Sequence, residues 1–117
     1  NAAGRDQLLL TGCDLISSFD PLSGQTIWEV EGATTECVTS TVTDGKRVFS
    51  SGGYPKNHLA AVLADGSGEI AWETNDRVYV PSLIAFDGFY SASLMRELPF
   101  AGKAIQEKSS EIGRAHV

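Results

Sequence analysis

The chain is poor in the residues that staple small domains or build reactive centres. Two cysteines and two histidines stand among 117 residues. Two cysteines are too few for a disulfide scaffold or a cysteine-rich zinc site. No cluster has metal-ligand spacing. Apolar runs such as Leu8-Leu9-Leu10 are short, far below the roughly 18 residues of a membrane span. Basic side chains are also scarce, 9 against 15 acidic ones, for a net charge of −6. With no basic cluster, neither nucleic acid nor an anionic membrane is an expected partner. No Gly-x-Ser-x-Gly elbow supports nucleophilic catalysis. Gly66-Ser67-Gly68 lacks the following lysine and helix that phosphate cradling needs. No amphipathic helical period appears before residue 94.

What is present is short-strand chemistry. Twelve glycines against four prolines accompany many Val, Thr, Ser and Ile residues. Runs of five to eight such residues are separated by Asp, Gly, Ser and Pro. They predict strands at 7–12, 14–20, 26–31, 38–43, 46–52, 57–64, 69–74, 80–86 and 88–93. Asp44-Gly45 is a hairpin signal. The chain also repeats. Leu15–Val30 (LISSFDPLSGQTIWEV) matches Leu59–Thr74 (LAAVLADGSGEIAWET) at an offset of 44. The match pairs Leu15 with Leu59, Ser23 with Ser67, Gly24 with Gly68, Trp28 with Trp72 and Glu29 with Glu73. Val42-Thr43-Asp44-Gly45 resembles Ala85-Phe86-Asp87-Gly88 at nearly the same spacing. A period near 40–45 residues with internal turns suits a four-stranded propeller blade.

These segments resemble the quinoprotein-type, pyrroloquinoline-quinone-like β-propeller repeat. Phe19-Asp20-Pro21-Leu22-Ser23-Gly24-Gln25-Thr26-Ile27-Trp28 is similar to that family's "Leu-Asp-Ala-x-Thr-Gly-x-x-Leu-Trp" half-blade. Thr39–Phe49 and Tyr79–Gly88 are similar to the other half. The resemblance covers about residues 6–93. It implies an all-β fold of antiparallel four-stranded blades, an incomplete β-propeller of about two blades' worth. Blade parts are expected at 7–31, 38–74 and 80–93. It implies that Asp20, Gly24, Trp28, Gly68 and Trp72 dock one blade on the next. Ala64 stands where the first copy has Asp20, and Asp65 beside it is expected to cap the same turn.

The resemblance also frames function. It implies a bacterial binding or scaffold domain, periplasmic or exported, whose partners include the remaining blades and a protein or small-molecule ligand. The alternatives are part of a quinone-dependent alcohol or sugar dehydrogenase, or the sensor propeller of a signalling protein. Pyrroloquinoline quinone and calcium belong to the dehydrogenase alternative. The adjacent cysteines and any quinone- or calcium-binding set are not found in this stretch, so no catalytic, cofactor or metal residue is assigned.

The tail reads differently. The repeat predicts a third-strand segment after Ser93, but Leu94–Lys103 departs from it. Regrouping the degenerate codons of 94–108 by one base permits that segment, Thr-Gly turn included, so 94–110 is read as frameshifted. Glu111-Ile112-Gly113-Arg114-Ala115-His116-Val117 matches the translation of a common sequencing adapter. The tail is expected to be irregular, or a short helix at Leu94–Leu98. Without it, residues 1–93 carry a net −7 and His58 is the only histidine. The chain is thus expected to be a fragment, which also accounts for its start at Asn1 without a leader.

Two further sets are singled out. The Gly52–Asn57 loop is the candidate contact loop, with Tyr54, Lys56 and Asn57, and with His58 expected at its surface edge. Cys13 and Cys37 either pair or remain as two free, partly buried thiols. Glu29, Glu31 and Glu36 read as a solvated edge rather than an acid/base pair.

Overall fold

The computed structural model describes residues 1–76, 78, 82–86, 89–93 and 109–110. In order they form β1 (Leu8–Gly12), β2 (Leu15–Phe19), β3 (Thr26–Glu31), β4 (Val42–Thr43), β5 (Arg47–Gly52), β6 (His58–Leu63), β7 (Ile70–Thr74), β8 (Ile84–Phe86), β9 (Phe89–Ser93) and β10 (Ser109–Ser110). All pairings are antiparallel. The sheets run β1-β2-β3, β4-β5-β6-β7 and β10-β9-β8, each joining sequence neighbours. The fold is therefore all-β, and no helix occurs among the described residues.

Local chemistry explains most connections. The β1–β2 hairpin closes through Cys13 (φ 52°) and Asp14 (φ 69°), two consecutive left-handed residues. Such a two-residue turn matches the natural strand twist. Asp44-Gly45 turns β4 into β5 as its sequence predicts. The Asp44 carboxylate accepts N–H bonds from Lys46 (2.9 Å) and Arg47 (2.7 Å), and Gly45 takes φ 92°.

The strand expected over 38–43 shortens to Val42–Thr43. Its earlier residues leave the ladder. Thr39 is held by its hydroxyl, 2.6 Å from the Ser51 hydroxyl, and Val38 is exposed. The helix expected at Leu94–Leu98 lies outside the described residues, as do residues 80 and 81 of the expected strand 80–86. The tail, expected to be irregular, adds the strand Ser109–Ser110 on β9.

The central sheet is buried on both faces. Val48, Val62 and Ala64 pack with Ile16, Trp28 and Val30 of the first sheet, and Ala2 closes this cluster. The opposite face packs Phe49, Leu59 and Ala61 against Val78 and Leu83. Alternation of side chains along β5 and β6 produces the two faces. Phe49 and Leu59 are buried to within 1%, each stabilising the fold by roughly 1.5–3 kcal/mol.

The repeat is not uniform in register. Trp28 lies opposite Ser18, whereas Trp72 lies opposite Ala61. The tryptophans are 44 apart, but their cross-strand partners are 43 apart. The turn accounts for this. Asp20 N–H donates to Gln25 O, and Leu63 N–H donates to Glu69 O. The second turn therefore encloses one more residue, and side-chain alternation on β6 slips by one. Ile16 and Leu59, rather than Leu15 and Leu59, hold equivalent core places in the two clusters.

Candidate functional site

Two places hold the residues that the sequence singles out. The first is the boundary between the first two sheets. Trp28, on the last strand of its sheet, is 8% exposed and packs in the shared cluster. Its indole lies over the β6–β7 turn. A Cβ added at Gly66 would sit 2.7–2.8 Å from Trp28 Cγ, Cβ and Cδ1, and Gly66 itself takes φ +80°. Gly68, also at φ +80°, lies under Val30. Trp72 holds the corresponding place one sheet later. It packs on the Phe49–Leu83 cluster, with its ring 6.1 Å from that of Phe49.

Asp20 and Gly24 shape the turn between β2 and β3. Asp20 Oδ1 accepts from Leu22 N (2.8 Å) and Ser23 N (2.9 Å). Gly24 takes φ +73° with open space around it. The second copy repeats the device: Asp65 Oδ1 accepts from Ser67 N at 2.9 Å, as its position beside Ala64 predicts. Ser23 Oγ and Ser67 Oγ each accept the N–H two residues on, both at 3.3 Å. These N–H donations depress the carboxyls. The Ser23 amide, then that of Leu22, holds Asp20 below its ordinary range, with a smaller part from Arg5. The Ser67 amide and then its hydroxyl do so for Asp65.

Gln7 joins this boundary although nothing in the sequence marks it as a site residue. Its Nε2 donates to Ala2 O (2.8 Å) and Ala64 O (3.1 Å). Its Oε1 accepts from Ser18 Oγ (2.6 Å) and Trp28 Nε1 (2.8 Å). One amide thus uses both donors and both acceptor positions to tie the first sheet to the second. No local motif announces it, since its partners lie up to 57 residues away.

The second place is the opposite end of the sheets. Here the segment 32–37 stitches the β1–β2 turn to the β5–β6 loop. Cys13 N and Asp14 N donate to Thr35 O and Thr34 O, and Glu36 exchanges bonds with Gly53 N and Tyr54 O. In the candidate contact loop, Tyr54 is 57% exposed. Lys56 is exposed and Asn57 half-buried. The Tyr54–Pro55 bond is cis.

His58 departs from its expected place. It is not a surface residue of the loop edge but is 9% exposed, because β6 begins with it and pairs it with Gly52. Its Nε2 lies 3.1 Å from Glu73 Oε2. Its Nδ1 is buried without a partner among the described residues. Cys13 and Cys37 are both free, and Cys13 is exposed rather than partly buried, since it occupies the tip of its turn. Cys37 Sγ donates to Thr34 O at 3.4 Å. Glu29, Glu31 and Glu36 are each exposed.

Among the described residues no three His, Cys, Asp or Glu side chains converge to hold a metal ion. No described helix is long and apolar enough to cross a membrane. In comparison with known proteins, no family model matches the chain and no curated protein matches it.

Proposed function

We propose that the chain is a stretch of a quinoprotein-type β-propeller acting as a binding or scaffold domain, with its three sheets as successive blades. One observation carries the reading. Each of the first two sheets ends on a tryptophan-bearing strand whose indole packs into the cluster on that sheet's boundary with later residues of the chain. Repetition of one docking device along a chain is how blades stack around an axis. The binding surface in this reading is the stitched end, where Tyr54 and Lys56 stand out from a loop held by Glu36. Rigidly held loops suit that task. A propeller usually closes with about 4–8 blades, so the remaining blades of a parent protein are its first partners. The chain alone has no turnover.

The test is the uninterrupted parent reading frame and its product. The frame is expected to carry further repeats of this kind, and the purified product a ring in electron micrographs. Reconstitution with pyrroloquinoline quinone and calcium is expected to give no dye-linked alcohol oxidation. Turnover in that assay would transfer the chain to the dehydrogenase reading. A signalling domain on the same frame would make it a sensor. A parent frame without further repeats would remove the propeller reading altogether.

A further inference from the structure

The two cysteines are distant in sequence but lie on segments that the fold laces together. Cys13 is in the β1–β2 turn, and Cys37 is in the connection from β3 to β4. Cys13 N and Asp14 N donate to Thr35 O (3.4 Å) and Thr34 O (3.2 Å), and Gly32 N donates to Asp14 O (3.4 Å). The Thr35 hydroxyl adds a bond to Asp14 Oδ1 at 3.2 Å. Cys37 Sγ turns back and donates to Thr34 O at 3.4 Å. Thr34 O is therefore shared by the Cys37 thiol and by the amide that follows Cys13. One carbonyl oxygen joins the neighbourhoods of the two cysteines.

Gly52 permits that approach. A Cβ there would stand 3.1 Å from Cys37 Sγ, so a side chain at this point of β5 would push the segment 34–37 away. Both thiols are free, with Cys13 exposed and Cys37 half-buried. Exposure suits Cys13 to meet a reagent first, and a neighbouring thiol held in place suits Cys37 to resolve the adduct. Each connection is bounded by described strands on both sides.

We propose that Cys13 and Cys37 form a reversible disulfide that latches the β1–β2 turn to the segment 32–37. The oxidant is a small disulfide such as oxidised glutathione. The Cys13 thiolate attacks one of its sulfurs and breaks that S–S bond. One small thiolate leaves and takes up the proton that Cys13 gave up. Cys37 then releases Thr34 O, loses its proton and attacks the Cys13 sulfur. The Cys13–Cys37 bond forms, the mixed disulfide breaks, and the second small thiol leaves with that proton. Two protein thiols are oxidised and one small disulfide is reduced to two thiols. The latch uses only these two connections and is independent of the propeller reading.

The experiment uses the whole chain in glutathione buffers. Mass spectrometry of the folded chain is expected to show the loss of two hydrogens, and peptide mapping a Cys13–Cys37 link. The oxidised chain is expected to unfold about 5–15 °C above the reduced one. Cys37→Ser is expected to stop at one glutathione on Cys13. The decisive comparison is with the chain unfolded in urea. At the same glutathione ratio, the fold is expected to favour the link about tenfold or more over the unfolded chain. A folded chain that keeps glutathione on Cys13, or that joins two copies instead, overturns the proposal. So does a link no more favourable in the folded chain than in urea, or one that does not raise the unfolding midpoint.

Discussion

The Gln7 side-chain oxygen accepts the indole N–H of Trp28 at 2.8 Å and the Ser18 hydroxyl at 2.6 Å. Its nitrogen reaches across the sheet boundary to Ala64 O. The apolar plug between the sheets is thus held in place by a polar clamp. Replacing Gln7 by Leu keeps the volume but leaves the Trp28 and Ser18 donors without their acceptor. The expected loss is about 2–3 kcal/mol, read from urea unfolding, with altered Trp28 emission in the folded state.

Gly66 and Gly24 offer a matched comparison. Both have positive φ, but only Gly66 lies against the indole. Gly24→Ala is expected to cost about 1–2 kcal/mol, the left-handed penalty alone. Gly66→Ala carries that penalty plus displacement of Trp28, so its unfolding midpoint falls further. Equal losses would mean that the indole yields freely.

Cys13 holds φ 52° in an exposed turn position that favours asparagine. Cys13→Asn is expected to stabilise the chain by about 0.5–1 kcal/mol, measured by thermal unfolding. In the unsubstituted chain, a thiol reagent is expected to label Cys13 fast and half-buried Cys37 slowly.

Asp44 makes stability depend on acid pH. Burial alone raises its carboxyl pKa, but the amides of Arg47 and Lys46 and the Arg47 charge together outweigh it, so the net shift is downward. The Arg47 guanidinium donates to Oδ2 at 2.7 and 3.0 Å. A folded-state pKa below the unfolded one gives stability that is present above about pH 3.9 and fades as the pH drops through the folded value. Asp44→Asn is expected to be less stable than the unsubstituted chain at pH 7, with the gap narrowing at pH 3. Urea midpoints at the two pH values measure it.

Much of the strand map was legible because it rests on local chemistry. Asp44-Gly45 and the two Ser-Gly turns act within a few residues, and strand alternation needs only neighbours. His58 misled for the same reason. Beside a Gly-rich loop it reads as surface, yet it opens β6 opposite Gly52 and is buried there. Gln7 left no local trace either, because its four partners come from four separate segments.

By itself, the sequence determined where most strands lie and where they turn, and that two tryptophan strands recur 44 residues apart. Those features follow from backbone preference and side-chain polarity along the chain. The tertiary structure alone decided which residues of β6 face which cluster. One extra residue in the Leu63–Glu69 turn moved the ladder partner of Trp72 to Ala61. Strand faces alternate every residue, so a single added residue exchanges one face for the other, and only packing against both neighbours selects the side chains that meet each cluster.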